Sequence, residues 1–146
     1  MNTIIGTVQD GNGHASGFLI GVHPLIEART GLLSLRPGTL NLKLDADYFV
    51  RQDATVTELE YQHREALFFQ KCRIGDLPCL IMRPESHEKY RNAHGPAHLE
   101  IMAQVRLRDH YQLVNGSKVE VELEVDEDWW KEKICRPPES PPDSNS

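Results

Sequence analysis

Thr39, Asn41 and Lys43 alternate with Leu40, Leu42 and Leu44 directly after a Pro37-Gly38 pair. Proline presets its own φ and glycine accepts positive φ, so the pair reads as a tight turn feeding a strand. Successive strand side chains point to opposite faces. One face is therefore all leucine, and the other offers a hydroxyl, an amide and an ammonium. A hydroxyl and an amide carbonyl are neutral, hard oxygen ligands. They suit a Mg²⁺ whose charge is balanced mostly by phosphate. Lys43 could hold a phosphate oxygen beside it. The same alternation also suits an ordinary half-buried strand with a polar outer face.

Two other stretches carry chemistry. Gly11-Asn12-Gly13-His14-Ala15-Ser16 is a run of small and turn-prone residues. Such a run lets the backbone curl so that several N–H groups point at one anion. It lacks the lysine followed by serine or threonine that opens a helix in the common phosphate loop. Hairpin turns use the same residues. Glu100 lies between apolar neighbours in Leu99-Glu100-Ile101-Met102. A carboxylate there is either on a strand's wet face or held for a purpose. Arg29 and Arg36 are candidates for pairing with phosphate or carboxylate. His94 and His98 stand four apart, but Gly95-Pro96 breaks any helix between them, so the helical metal-pair geometry is absent.

These residues need strands to hold them. Residues 4–8, 18–20, 40–44 and 98–105 read as strands. Residues 67–74 and 77–82 read as a hairpin across Gly75-Asp76, and 118–125 as a strand with an acidic outer face. Gly6 inside the first strand marks a close backbone approach. Short helices fit residues 24–29 and 108–111. Residues 45–65 read as a connection with one short strand at best. Many short strands and little helix give an all-β barrel or sandwich. Residues 1–130 form one domain, closed by Trp129-Trp130. Residues 131–146, rich in proline and serine, read as a disordered tail.

The balance of 16 basic and 22 acidic residues gives a net charge of −6, which argues against a nucleic-acid partner. No apolar run has the length of a membrane helix and no export signal opens the chain, so the expected setting is the cytoplasm, with no membrane partner. Cys72, Cys79 and Cys135 are odd in number and lack zinc spacing, so they read as free thiols.

Pro37-Gly38-Thr39-Leu40-Asn41-Leu42-Lys43-Leu44 resembles the glycine-threonine-leucine-asparagine signature of the CTP-dependent riboflavin kinases, the archaeal type of flavokinase. The glycine loop and the segment from Leu99 to Arg108 agree with that family in type and order. The resemblance implies a six-stranded cradle-loop-type β-barrel with one or two short helices. It implies Mg²⁺-dependent transfer of the terminal phosphate of CTP to the 5′-hydroxyl of riboflavin, giving FMN and CDP. The alternative is a non-catalytic flavin- or nucleotide-binding module of the same fold. By the same resemblance, Gly11, Asn12, Gly13, His14, Ala15 and Ser16 with Val105, Arg106, Leu107 and Arg108 bind the nucleotide. Thr39 and Asn41 hold the Mg²⁺, and Ser86 and Glu100 contact the flavin. Ser86 stands where the family more often has threonine. Glu100 is also the candidate general base.

Overall fold

Alternating side chains become strands in the structure, a computed structural model that describes residues 2–10, 21–61, 65–89 and 95–135. The strands are β1 (Thr3–Gln9), β2 (Leu40–Lys43), β3 (Ala54–Val56), β4 (Leu67–Ile74), β5 (Leu77–Pro84), β6 (His98–Met102) and β7 (Lys118–Glu122). The helices are α1 (His23–Thr30), α2 (Glu58–Tyr61), α3 (Glu85–Glu88), α4 (Leu107–His110) and α5 (Glu127–Ile134), with a 3-10 turn at Gly95–Ala97.

The strands pair antiparallel in the order β4-β5-β6-β2-β1-β7, and β7 returns to β4 at Arg73↔Glu122. That pairing closes a six-stranded barrel. β3 adds to β4 on the edge that β7 also meets: β3 takes Leu67–Phe69, and β7 takes Arg73. The expected hairpin is present, with Gly75-Asp76 joining β4 to β5.

Alternation sorts the apolar residues into two cores. The inward set fills the barrel and includes Val8, Leu40, Leu42, Leu44, Cys72, Cys79, Ile81, Leu99, Ile101, Val119 and Val121. Gly6 is what lets this interior close. A β-carbon at Gly6 would stand 2.8 Å from the β-carbon of Leu42, nearer than such atoms ever approach. The outward set of β4, β5 and β6 forms the second core. Leu67, Phe69, Leu80, Met82 and Met102 pack there with Ile26 of α1 and Trp130 of α5.

α5 has local causes. The Asp126 side chain caps it by accepting from the Trp129 N–H at 3.1 Å. Glu127 and Asp128 lie in the first turn and Lys131 and Lys133 in the last, complementing the helix dipole. Trp130 is fully buried, and its indole N–H donates to the Thr30 carbonyl at 2.9 Å, locking α5 onto the end of α1. The helix runs on to Ile134, so the expected domain edge at residue 130 falls inside it. Among the described residues more short helices form than the one or two expected; three of the five there have only four residues, too short to show a helical period. The expected strand at residues 18–20 lies outside the described residues. Among the described residues, no helix is long and apolar enough to cross a membrane.

Candidate functional site

Residues directly opposite on paired strands share a face of the sheet. One such row on the barrel's outer wall runs Gln9, Asn41, Glu100, Met82, Phe69, Ala54, across β1, β2, β6, β5, β4 and β3. Met82, Phe69 and Ala54 belong to the second core, beneath the helical layer. Gln9, Asn41 and Glu100 form the other half of the row, and there the wall changes from apolar to polar.

Pro37-Gly38 delivers the chain into this polar half. Gly38 has φ +95°, which favours glycine, and the turn releases Thr39 just before β2. The Thr39 hydroxyl donates to Glu100 Oε1 at 3.1 Å. Asn41 Oδ1 lies 2.9 Å from His98 Nε2, and His98 Nδ1 lies 3.1 Å from Gln9 Nε2. The expected metal pair and the expected flavin carboxylate are thus within one hydrogen-bonded patch. Burial pushes the Glu100 carboxyl above its ordinary value, opposed by the Thr39 hydroxyl and the Arg83 charge.

Arg83 stands behind the patch. Its side chain is completely buried and points into the barrel end on the row of Phe68. Its guanidinium donates to Glu88 Oε1 at 2.6 Å, to the Tyr48 carbonyl at 2.8 Å, and to the Pro96 and His98 carbonyls at 3.2 Å each. Burial lowers its pKa, and Glu88 opposes that shift. Ser86 belongs to α3, directly after β5. Its N–H donates to Glu65 Oε1 at 2.6 Å, and its neighbour His87 stands edge-on to His98, ring centroids 6.2 Å apart. Ser86 is therefore linked to the patch through α3.

A cleft opens at one end of this patch. It is lined by Arg36–Leu40 from the turn, by Ile101 and Ala103 of the β6 segment, and by Val105–Arg108. Two segments more than sixty residues apart in sequence therefore meet at one concavity. The Arg36 N–H donates to the Ala103 carbonyl at 3.0 Å, and the Gln104 side chain donates to the Leu33 carbonyl at 2.7 Å, so the two walls are tied. Arg36 and Arg106 are exposed, while Arg108 is half-buried. Arg108 donates to Asn115 Oδ1 at 2.8 Å and to the Gln9 carbonyl at 3.3 Å, and pairs with Asp10 at 3.4 Å. It thereby joins α4 to the last described residues before the glycine loop. The loop itself, Gly11 to Ser16, lies outside the described residues.

Arg29, the other sequence candidate, is committed elsewhere. It is ion-paired to Glu60 and donates to the Thr55 carbonyl at 2.6 Å.

A cation at Thr39 and Asn41 is chemically consistent with these donors. Both offer neutral oxygens, and the Glu100 carboxylate accepts from Thr39 and stands opposite Asn41 in the sheet. Among the described residues, no group of three or more His, Cys, Asp or Glu is arranged to hold an ion alone. The ion's charge would have to be met largely by substrate phosphates, as expected for Mg²⁺.

Sequence reading passed over Gln9, Arg83 and the role of His98. His98 was legible in principle, because it stands two residues before Glu100 and shares its face. Arg83 had no such signal, since one charge at a strand end is common.

No curated protein matches the chain. One family model does match, over residues 8–123: CTP-dep_RFKase, described as Domain of unknown function DUF120. That span covers well over half of the chain and contains the turn, the cleft and the polar row, so the chain belongs to this family, which is named for CTP-dependent riboflavin kinase.

Proposed function

We propose that this protein is a riboflavin kinase that moves the terminal phosphate of CTP to the 5′-hydroxyl of riboflavin, releasing FMN and CDP. The observation that carries the reading is the meeting of Arg36–Leu40 and Val105–Arg108 at one cleft, beside the Thr39–Glu100 hydrogen bond. Family membership supports the same chemistry.

Phosphoryl transfer is catalysed chiefly by positioning and by neutralising charge. In this reading, Arg108 with Val105, Arg106 and Leu107 holds the nucleotide, together with the loop Gly11–Ser16. Thr39 and Asn41 would hold Mg²⁺, which would supply charge neutralisation. Glu100 and Ser86 locate the flavin. Glu100 is also the group able to accept the hydroxyl proton, since its raised pKa brings it nearer to neutrality than an ordinary carboxylate. A loose, metaphosphate-like transition state asks little of that base.

The test is direct. Protein, riboflavin and Mg²⁺ are mixed with each of the four ribonucleoside triphosphates in turn, and FMN is followed by chromatography. FMN with CTP is the expected result. Flavin or nucleotide binding without FMN would instead identify a non-catalytic binding module, and FMN from another triphosphate would overturn the CTP assignment.

A further inference from the structure

We propose that His98 is a positioning residue for Asn41 and that Gln9 sets the tautomer it uses. This rests on the reading above, in which Asn41 binds the cation of the nucleotide.

The geometry contains its own direction. Gln9 Nε2 carries two N–H groups and has nothing with which to accept, so at 3.1 Å it donates to His98 Nδ1. A neutral ring whose Nδ1 accepts must carry its proton on Nε2. That N–H, 2.9 Å from Asn41 Oδ1, donates to the amide carbonyl. The Asn41 oxygen keeps a second lone pair, and the His98 bond determines where it points. Rotating the Asn41 amide would set its NH₂ against the Nε2–H, donor against donor. His98 is 6 % exposed, so water cannot readily replace the lost bond.

The three residues come from three strands. Gln9 and Asn41 are register partners between β1 and β2, and His98 is the partner of Lys43 between β2 and β6. Gln9 and Asn41 therefore lie side by side in one row, and the His98 ring reaches diagonally from β6 to touch both. Residues placed this way behind a metal ligand fix its orientation. Turning both amides over gives the opposite arrangement: an Nδ1–H tautomer, with the Asn41 carbonyl directed away from His98.

Two measurements test this on the full chain. ¹⁵N-histidine long-range correlation NMR, with His98→Gln used to assign the signal, should show His98 as the Nε2–H tautomer. The Nδ1–H tautomer would overturn the proposal. Second, FMN formation is titrated with Mg²⁺ at saturating CTP. His98→Leu should raise the half-saturating Mg²⁺ about tenfold, with KM for riboflavin unchanged. His98→Gln, which returns an N–H near the Nε2 position, should recover to within about threefold of wild type. An unchanged Mg²⁺ requirement in folded His98→Leu would overturn the proposal. If His98→Leu does not fold, Gln9→Leu is read in its place, with the same expected direction. The two failures are separable. A wild type that makes no FMN defeats the functional reading, whereas an active wild type with the wrong tautomer or an insensitive Mg²⁺ titration defeats the role of His98 alone.

Discussion

Asn41 of β2 and Glu100 of β6 face each other as register partners on the outer wall of the barrel. The amide proposed to hold a cation and the carboxylate proposed to hold the flavin hydroxyl are thus adjacent by construction. Sheet pairing sets their spacing, and no loop intervenes between them. A site mounted on strands is held more tightly than one mounted on loops. Thr39 completes the corner by donating to Glu100.

Asn41→Ala should lower the rate of FMN formation by about 100-fold or more, since even a residue placed behind a metal ligand is worth about 10- to 100-fold. Stability should fall by about 1–3 kcal/mol, because both apolar cores stay intact while the buried His98 Nε2–H loses its acceptor. Steady-state rates across a Mg²⁺ series, with urea unfolding alongside, check both halves. Near-normal turnover when Mg²⁺ is limiting would remove Asn41 from the metal site.

Glu100→Gln separates stability from catalysis. The folded state raises the Glu100 pKa, so it binds a proton more readily than the unfolded chain does. Its contribution is then fully present below the ordinary carboxylate range and is lost as pH rises through the raised value. The variant should melt close to wild type at about pH 4 and higher than wild type at about pH 7.5. Activity should fall across the same range. A variant that melts lower at neutral pH would show that pairing with Arg83 and Thr39 outweighs burial.

Arg108→Ala should raise KM for CTP about tenfold or more and leave KM for riboflavin unchanged, a charge-assisted hydrogen bond being worth about 1.5–3 kcal/mol. Arg108 also joins α4 to Gln9 and Asp10. Arg108→Lys keeps the charge and loses the fork, so it should recover only part of the affinity. Initial-rate kinetics with each substrate varied in turn decide the matter.

Trp130→Phe should cost about 1–3 kcal/mol, because it leaves the buried Thr30 carbonyl without the indole N–H it now accepts. Urea unfolding measures this. A neutral result would mean that the indole bond to Thr30 adds nothing to stability.

Thiol reactivity should single out Cys135. Cys135 is exposed, whereas Cys72 and Cys79 are buried register partners inside the barrel. Burial pushes the Cys79 thiol up to about 12 and raises Cys72 well above its ordinary value. A chromogenic disulfide reagent at neutral pH should titrate Cys135 in the native protein and all three thiols after denaturation. Rapid native reaction at Cys72 or Cys79 would contradict the closed barrel.

Sequence alone determined the alternation, because a strand's side-chain period is a local property of the backbone. It placed Leu40, Leu42 and Leu44 inside with Thr39 and Asn41 outside, set Glu100 apart from Leu99 and Ile101, and located the Gly75-Asp76 hairpin. The closing pair Arg73↔Glu122, the burial of Trp130 against α1 and the company that Asn41 keeps could not be read the same way. Each depends on register between strands far apart in the chain, and register is set by how whole faces pack. Asn41 stands out in the sequence whereas Gln9 and His98 do not, and only the tertiary structure joins the three through the His98 ring.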